Sequence, residues 1–194
     1  MQKNKAQAVE PIRNKADIEK IKRYFLRQKQ YRNYCLFVCG INLGLRISDL
    51  LKLRISDIYN KTELRLTEQK TNKSKVININ EACQKAVRTY LNSLPSFDIN
   101  DYLFKSRKGS GAINKKTAHQ IINDACLSCN IKGNFGTHSL RKTFAYQLYI
   151  NNSDNVLILE YIMQLLNHKS QATTIRYLGL EKEKLDGFVN ELNL

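Results

Sequence analysis

The sequence predicts a mostly α-helical domain with one small antiparallel β-sheet, an α+β arrangement. Apolar residues recur at three- and four-residue intervals through most of the 194 residues, the period of amphipathic helices. In one place, residues 63–68 and 75–79, that period gives way to alternation, the pattern of paired strands. Turn-forming Gly, Asn, Ser and Pro separate the periodic stretches.

Taken in order, the first dozen residues are polar and basic and read as a loose arm. Ile18, Ile21, Tyr24 and Phe25 place an amphipathic helix over 17–28. A second helix, over 31–42, is more apolar and therefore more buried, and Gly44 ends it with a tight bend. The next helix, over 47–53, opens beside Arg46, where free amides favour an anion. The two strands enclose Gln69-Lys70-Thr71-Asn72-Lys73-Ser74, so the hairpin carries cations at its tip. A helix from Asn80 or Glu81, with Ala82, Ala86, Val87, Tyr90 and Leu91 on its apolar face, stops before Pro95. Residues 97–112 form a loop holding a short strand at 102–104 and a basic turn at 107–111. Asn114 caps a helix running to about residue 129. Glycines 133 and 136 break the chain before a helix capped by Thr137 and reaching about residue 149. An apolar helix spans 156–166 and ends at Asn167, whose side chain tolerates left-handed backbone angles. Gly179 breaks the chain again. The last helix, over 181–192, bears Leu185, Phe188, Val189 and Leu192 as a narrow apolar stripe.

Charge narrows the partners. With 32 Lys and Arg against 17 Asp and Glu, the net charge is +15. Such an excess raises affinity for polyanions, nucleic acid above all, and by itself also suits an anionic membrane surface. No apolar run approaches the ~20 residues of a membrane span, and residues 1–5 lack the apolar core of a signal peptide. The expectation is a soluble, cytoplasmic protein without a membrane partner. Five scattered cysteines do not make a secreted disulfide framework. Cys126-Leu127-Ser128-Cys129 is a lone C-x-x-C, and Cys35 and Cys39 read as small hydrophobes in a buried helical stripe rather than as its zinc-binding partners. No metal site is expected.

Chemistry gathers between residues 137 and 177. His138 and Arg141, three apart on a helix, share a face, which puts a titratable ring beside a fixed cation. His168 follows, and nine positions on (177 − 168) stands Tyr177, among Thr173, Thr174 and Arg176. Two histidines, an arginine and a phenol in so basic a chain point to phosphodiester chemistry. Guanidinium forks match phosphate oxygens, and an imidazole near its pKa suits proton transfer from a phenol. The third histidine, His119, reads as structural. Of the ten tyrosines, those such as Tyr24, Tyr34 and Tyr146 fall on apolar helical faces and read as core. Asp49, one turn beyond Arg46, is either a partner that orients that arginine or a solvated carboxylate.

These boxes resemble the tyrosine recombinase (phage integrase) family. Its members carry an H-x-x-R box, then L-x-H, then a nucleophilic tyrosine nine residues after that histidine. Upstream, Gly44-Leu45-Arg46-Ile47-Ser48-Asp49-Leu50 is similar to the family's box for its first catalytic arginine. Asn167 stands where many members have glycine. The resemblance runs from about residue 17 to about residue 189. It implies the family's catalytic-domain fold and six catalytic residues: Arg46, Lys70, His138, Arg141, His168 and Tyr177. Arg46 and Arg141 would neutralise the phosphate, His138 would act as general base and His168 would donate a hydrogen bond to the phosphate. Lys70, on the hairpin, would be the general acid, with Lys73 and Lys75 on its outgoing side. Tyr177 would form a 3′-phosphotyrosyl link in duplex DNA; the link conserves bond energy, and the cations supply charge, so neither ATP nor metal is implied.

The implied organisation is a basic arm at 1–12 and a catalytic domain at 13–194, with no separate N-terminal core-binding domain. The chain is then either a small stand-alone integrase or an excised catalytic fragment. Residues 180–194 are expected to dock on a neighbouring subunit of a tetramer on paired DNA sites, the free protein being a monomer or weak oligomer; docking on its own domain is the alternative. Two rival functions stay open: relaxation of supercoils by the same chemistry, as in type IB topoisomerases, and a DNA-binding regulator that keeps the fold without cleaving.

Overall fold

Helix α2 (Tyr31–Leu43) is apolar on nearly every side, and a helix of that kind has to lie inside the fold. In the computed structural model, which describes residues 9–67 and 74–180, it lies at the centre of one group of helices. Helix α1 (Lys15–Arg27) covers one flank with Ile18, Ile21 and Phe25, and α5 (Glu81–Leu91) covers another with Cys83, Val87 and Leu91. Helix α7 (Thr137–Ile150) covers a third flank, and α6 (Lys115–Ser128) packs against α1 and α7. Short helices α3 (Ile47–Leu50) and α4 (Ile55–Ile58) lead from α2 into the hairpin of β1 (Glu63–Thr67) and β2 (Ser74–Asn78). The strands pair antiparallel, Glu63 opposite Asn78 and Thr67 opposite Ser74, and bury Leu64 on the core side. Helices α8 (Ile158–Leu166) and α9 (Gln171–Leu178) pack on α7 in an apolar cluster of their own, which includes Tyr146, Ile162, Leu166 and Leu178.

The mostly helical fold with a small two-stranded antiparallel sheet is as expected. Helix starts were legible where one side chain decides them: Asn80 accepts from the Cys83 amide, and Asn114 from the Thr117 amide. Several local expectations need correction. The helix expected over 47–53 stops at Leu50, and α4 at Ile55–Ile58 was not expected. Gly136, not Thr137, caps α7, because the Ser139 hydroxyl reaches back and accepts from the Gly136 amide at 3.1 Å. Helix α8 begins at Ile158 rather than residue 156: Asn155 accepts from the Leu157 amide at 2.9 Å, which holds the entry in a turn and leaves Val156 exposed. Residues 102 and 105 make only isolated bridges, to Arg54 and Ala112, instead of a strand at 102–104.

Nor are residues 10–13 loose. The Glu10 amide donates to the Asn134 carbonyl, the amide of fully buried Ile12 donates to Thr143 Oγ1 at 2.8 Å, and Gln147 donates to the Arg13 carbonyl. The hairpin tip with Lys70, residues 1–8 and the helix expected over 181–192 lie outside the described residues. The C-x-x-C cysteines and the Cys35–Cys39 pair pack in separate clusters, and no group of His, Cys, Asp or Glu among the described residues is arranged to hold a metal ion. No described helix is long and apolar enough to cross a membrane.

Candidate active site

Four chain segments end at one place. Helix α2 stops at Gly44 with φ +60°, a left-handed angle that glycine adopts without strain. A Cβ there would collide with the ring of Phe144 on α7. The bend delivers Arg46 to the start of α3. Helix α7 contributes His138 in its first turn and Arg141 one turn later. Helix α8 closes with Asn167 at φ +53°: the Asn167 amide donates to Gln164 O and the His168 amide to Met163 O at 2.9 Å. This doubled closure pins the backbone of His168. Ser170 then caps α9, accepting from the Thr173 amide, and α9 presents Tyr177.

Arg141 is the junction of these segments. Only 5% exposed, its guanidinium donates to Gly44 O at 2.6 Å and to Leu166 O at 3.0 Å, joining the ends of α2 and α8. Burial raises the pKa of the Tyr177 phenol, and the neighbouring Arg141 and the charge of Arg46 pull it back. The His168 ring packs edge-on against Tyr177 with centroids 5.0 Å apart. Its Nδ1 lies 3.0 Å from Thr174 Oγ1. Burial lowers the His168 pKa, and Arg141 and Arg46 lower it further. His138 keeps an exposed edge, yet partial burial comes first among the causes that lower its pKa, followed by Arg141, Lys142 and Lys115. Both rings are therefore biased toward neutral imidazole, one able to accept a proton and the other to donate a hydrogen bond.

Arg141, His168 and Tyr177 are thus in mutual reach, with the charge of Arg46 felt by both rings and His138 beside Arg141. Lys70 lies outside the described residues. Lys75, on β2, donates to Leu165 O at 2.6 Å and so ties the hairpin to the end of α8. Asp49 is buried, which removes the solvated alternative for it. The His119 ring lies where a Cβ on Gly136 would fall.

Two residues at the site gave no signal as such in the sequence. The Lys142 ammonium lies 5.1 Å from the centroid of the Tyr177 ring, and burial and Arg13 lower its pKa. Thr174, fully buried, reads in the sequence as no more than a polar neighbour of Tyr177. The i+3 spacing from Thr174 to Tyr177 was the available clue, but a partner six residues upstream is set by how α9 folds back on the loop.

The chain matches the phage integrase family model over residues 12–184. It is similar to the probable integrase/recombinase YoeC of Bacillus subtilis (strain 168), with 38% identity over 175 residues, covering 90% of this chain and 92% of that protein. Among solved structures, the XerA recombinase superposes with a TM-score of 0.72 at 25% identity, over 99% of this chain and 67% of that one. The XerH site-specific recombinase bound to palindromic difH substrate, a post-cleavage complex, has the same fold: TM-score 0.70 at 20% identity, over 97% of this chain and 55% of that one. With the family model spanning nearly all of the chain, the protein belongs to the phage integrase family and is a tyrosine recombinase.

Proposed function

We propose that this protein is a site-specific recombinase that cuts and rejoins duplex DNA through a covalent 3′-phosphotyrosyl intermediate at Tyr177. The observation that carries the reading is the convergence on one phenol of an imidazole in ring contact and the charge of a buried guanidinium, Tyr177 with His168 and Arg141. Tyr177 Oη attacks phosphorus and its proton passes to His138. Arg46 and Arg141 hold the non-bridging oxygens as negative charge builds, and His168 donates to one of them. The 5′-oxygen leaves with a proton from Lys70. Rejoining runs the same steps backward with a 5′-hydroxyl as attacker. The ester to Tyr177 keeps the energy of the broken bond, so the cycle draws on no ATP, and fixed side-chain cations do the work a metal ion does elsewhere. The net charge of +15 supports binding to duplex DNA. Four such reactions on paired sites, one by each of four copies of the chain, give strand exchange.

The test is incubation with nicked suicide duplexes from the DNA flanking the gene, followed by denaturing electrophoresis. A covalent protein–DNA adduct is expected from the wild type and none from Tyr177→Phe, with DNA affinity nearly unchanged because only the attacking oxygen is lost. Tight binding without adduct on every duplex would identify a regulator. Relaxation of supercoils without strand exchange would identify topoisomerase-like action. Adduct persisting in Tyr177→Phe would move the nucleophile to another tyrosine.

A further inference from the structure

We propose that Thr174 is a positioning residue that selects the tautomer of His168, donating its hydroxyl proton to Nδ1 so that Nε2 carries the ring's proton toward the phosphate. The inference rests on the recombinase reading, which asks His168 to donate.

The argument is one of proton counting. A neutral imidazole has one N–H and one bare nitrogen, and what the second nitrogen meets decides which is which. Burial and two neighbouring cations keep His168 neutral. Thr174 Oγ1 is 3.0 Å from Nδ1, and its other acceptor, the Ser170 carbonyl one turn back, is 3.4 Å away. A threonine hydroxyl has a single proton to give. Donated to the Ser170 carbonyl, that proton would leave Nδ1 as the donor; donated across the shorter contact, it makes Nδ1 the acceptor and puts the ring proton on Nε2. A phosphate oxygen only accepts, so this tautomer alone gives the phosphate a hydrogen bond. The opposite one would face it with a lone pair.

Thr174 is fully buried, so no water competes for Oγ1. It also lies three residues before Tyr177 on α9, whose length of 8 residues leaves little room for independent movement of the two. One hydrogen bond therefore makes the donor state of His168 conditional on the helix of the nucleophile being in place. If α9 moves away, the histidine loses the partner that sets its proton.

The experiment has two arms. In the free protein labelled with ¹⁵N-histidine, the His168 signals, assigned by their loss in His168→Gln, should show protonated Nε2 and an acceptor Nδ1. Thr174→Val keeps the size and branching of the side chain and removes the proton; its spectrum should move toward a mixture of tautomers. On suicide duplexes the same variant should form adduct about 10–100-fold more slowly, the usual cost of losing an orienting hydrogen bond behind a functional histidine. DNA affinity should hold, and Thr174→Ser should restore most of the rate. A wild-type spectrum with protonated Nδ1 would overturn the proposal, as would wild-type adduct rates in Thr174→Val. The tautomer is read without DNA, so absence of adduct from the wild type would count against the recombinase reading and leave the first arm decisive for Thr174. Should the valine variant fail to fold, the wild-type spectrum and the serine variant still decide.

Discussion

Both histidines at the site stand in positive surroundings, and this has a measurable consequence. A general base works only when unprotonated. As the proposed general base, His138 would be inactive when protonated, and because burial and then Arg141, Lys142 and Lys115 lower its pKa, that form accumulates only below the ordinary imidazole value of about 6.5. At limiting DNA, where the rate reports the free enzyme, adduct formation should stay level from pH 8 to about 6.5 and fall below that. His138→Gln should be slow throughout and lack this acid limb. Persistence of the same acid limb in His138→Gln would remove His138 as the base. Residue identities were legible here because motif spacing is a local property. The groups behind them were not. Arg141 meets a carbonyl 97 positions away and another 25 away, partners that exist only once three helix ends converge.

At the scale of elements, polar side chains within a few residues of a helix end fixed most boundaries, and the errors arose where two such groups compete. Ser139 took a cap expected of Thr137, and Asn155 delayed α8. Asn167 was legible for the opposite reason, since its left-handed angle is a choice made by one residue. Gly44 offers a sharper test. Its φ of +60° and the ring of Phe144 leave no place for a methyl group. Gly44→Ala should cost about 1–3 kcal/mol in urea denaturation, from backbone strain together with a steric clash. A neutral result would mean that α2 and α7 pack less tightly here than described. The hairpin carries a second test. Lys70→Ala should slow cleavage of an ordinary duplex yet largely spare one with a 5′-bridging phosphorothiolate, whose sulfur leaves without a proton. Equal losses on both substrates would reduce Lys70 to a phosphate contact and make Lys73 the next candidate.

For the whole molecule, sequence periodicity was enough to read the fold class, but not the division of the interior. Helix α9, which carries Tyr177, belongs to a small cluster with α7 and α8, separate from the two clusters that line α2. That cluster closes with Leu178 and Leu180, both buried. Removal of everything after Leu180 should therefore preserve folding and single-site DNA binding while weakening assembly on paired sites and disturbing the order of cleavage. Gel-shift assays with one and two sites, together with a melting curve, decide it. An unfolded truncation, or normal pairing, would place the tail in the core of its own subunit.

The double carbonyl contact of Arg141 has an evolutionary corollary. One side chain here answers to two selective pressures, for it joins the ends of α2 and α8 whether or not DNA is ever cut. A descendant that gave up cleavage and survived as a DNA-binding protein would be free to lose the hydroxyl of Tyr177. It would not be free to lose the guanidinium of Arg141. Among decayed copies of such a gene the tyrosine should erode first and the arginine last, so an intact arginine alone is poor evidence that a copy still works.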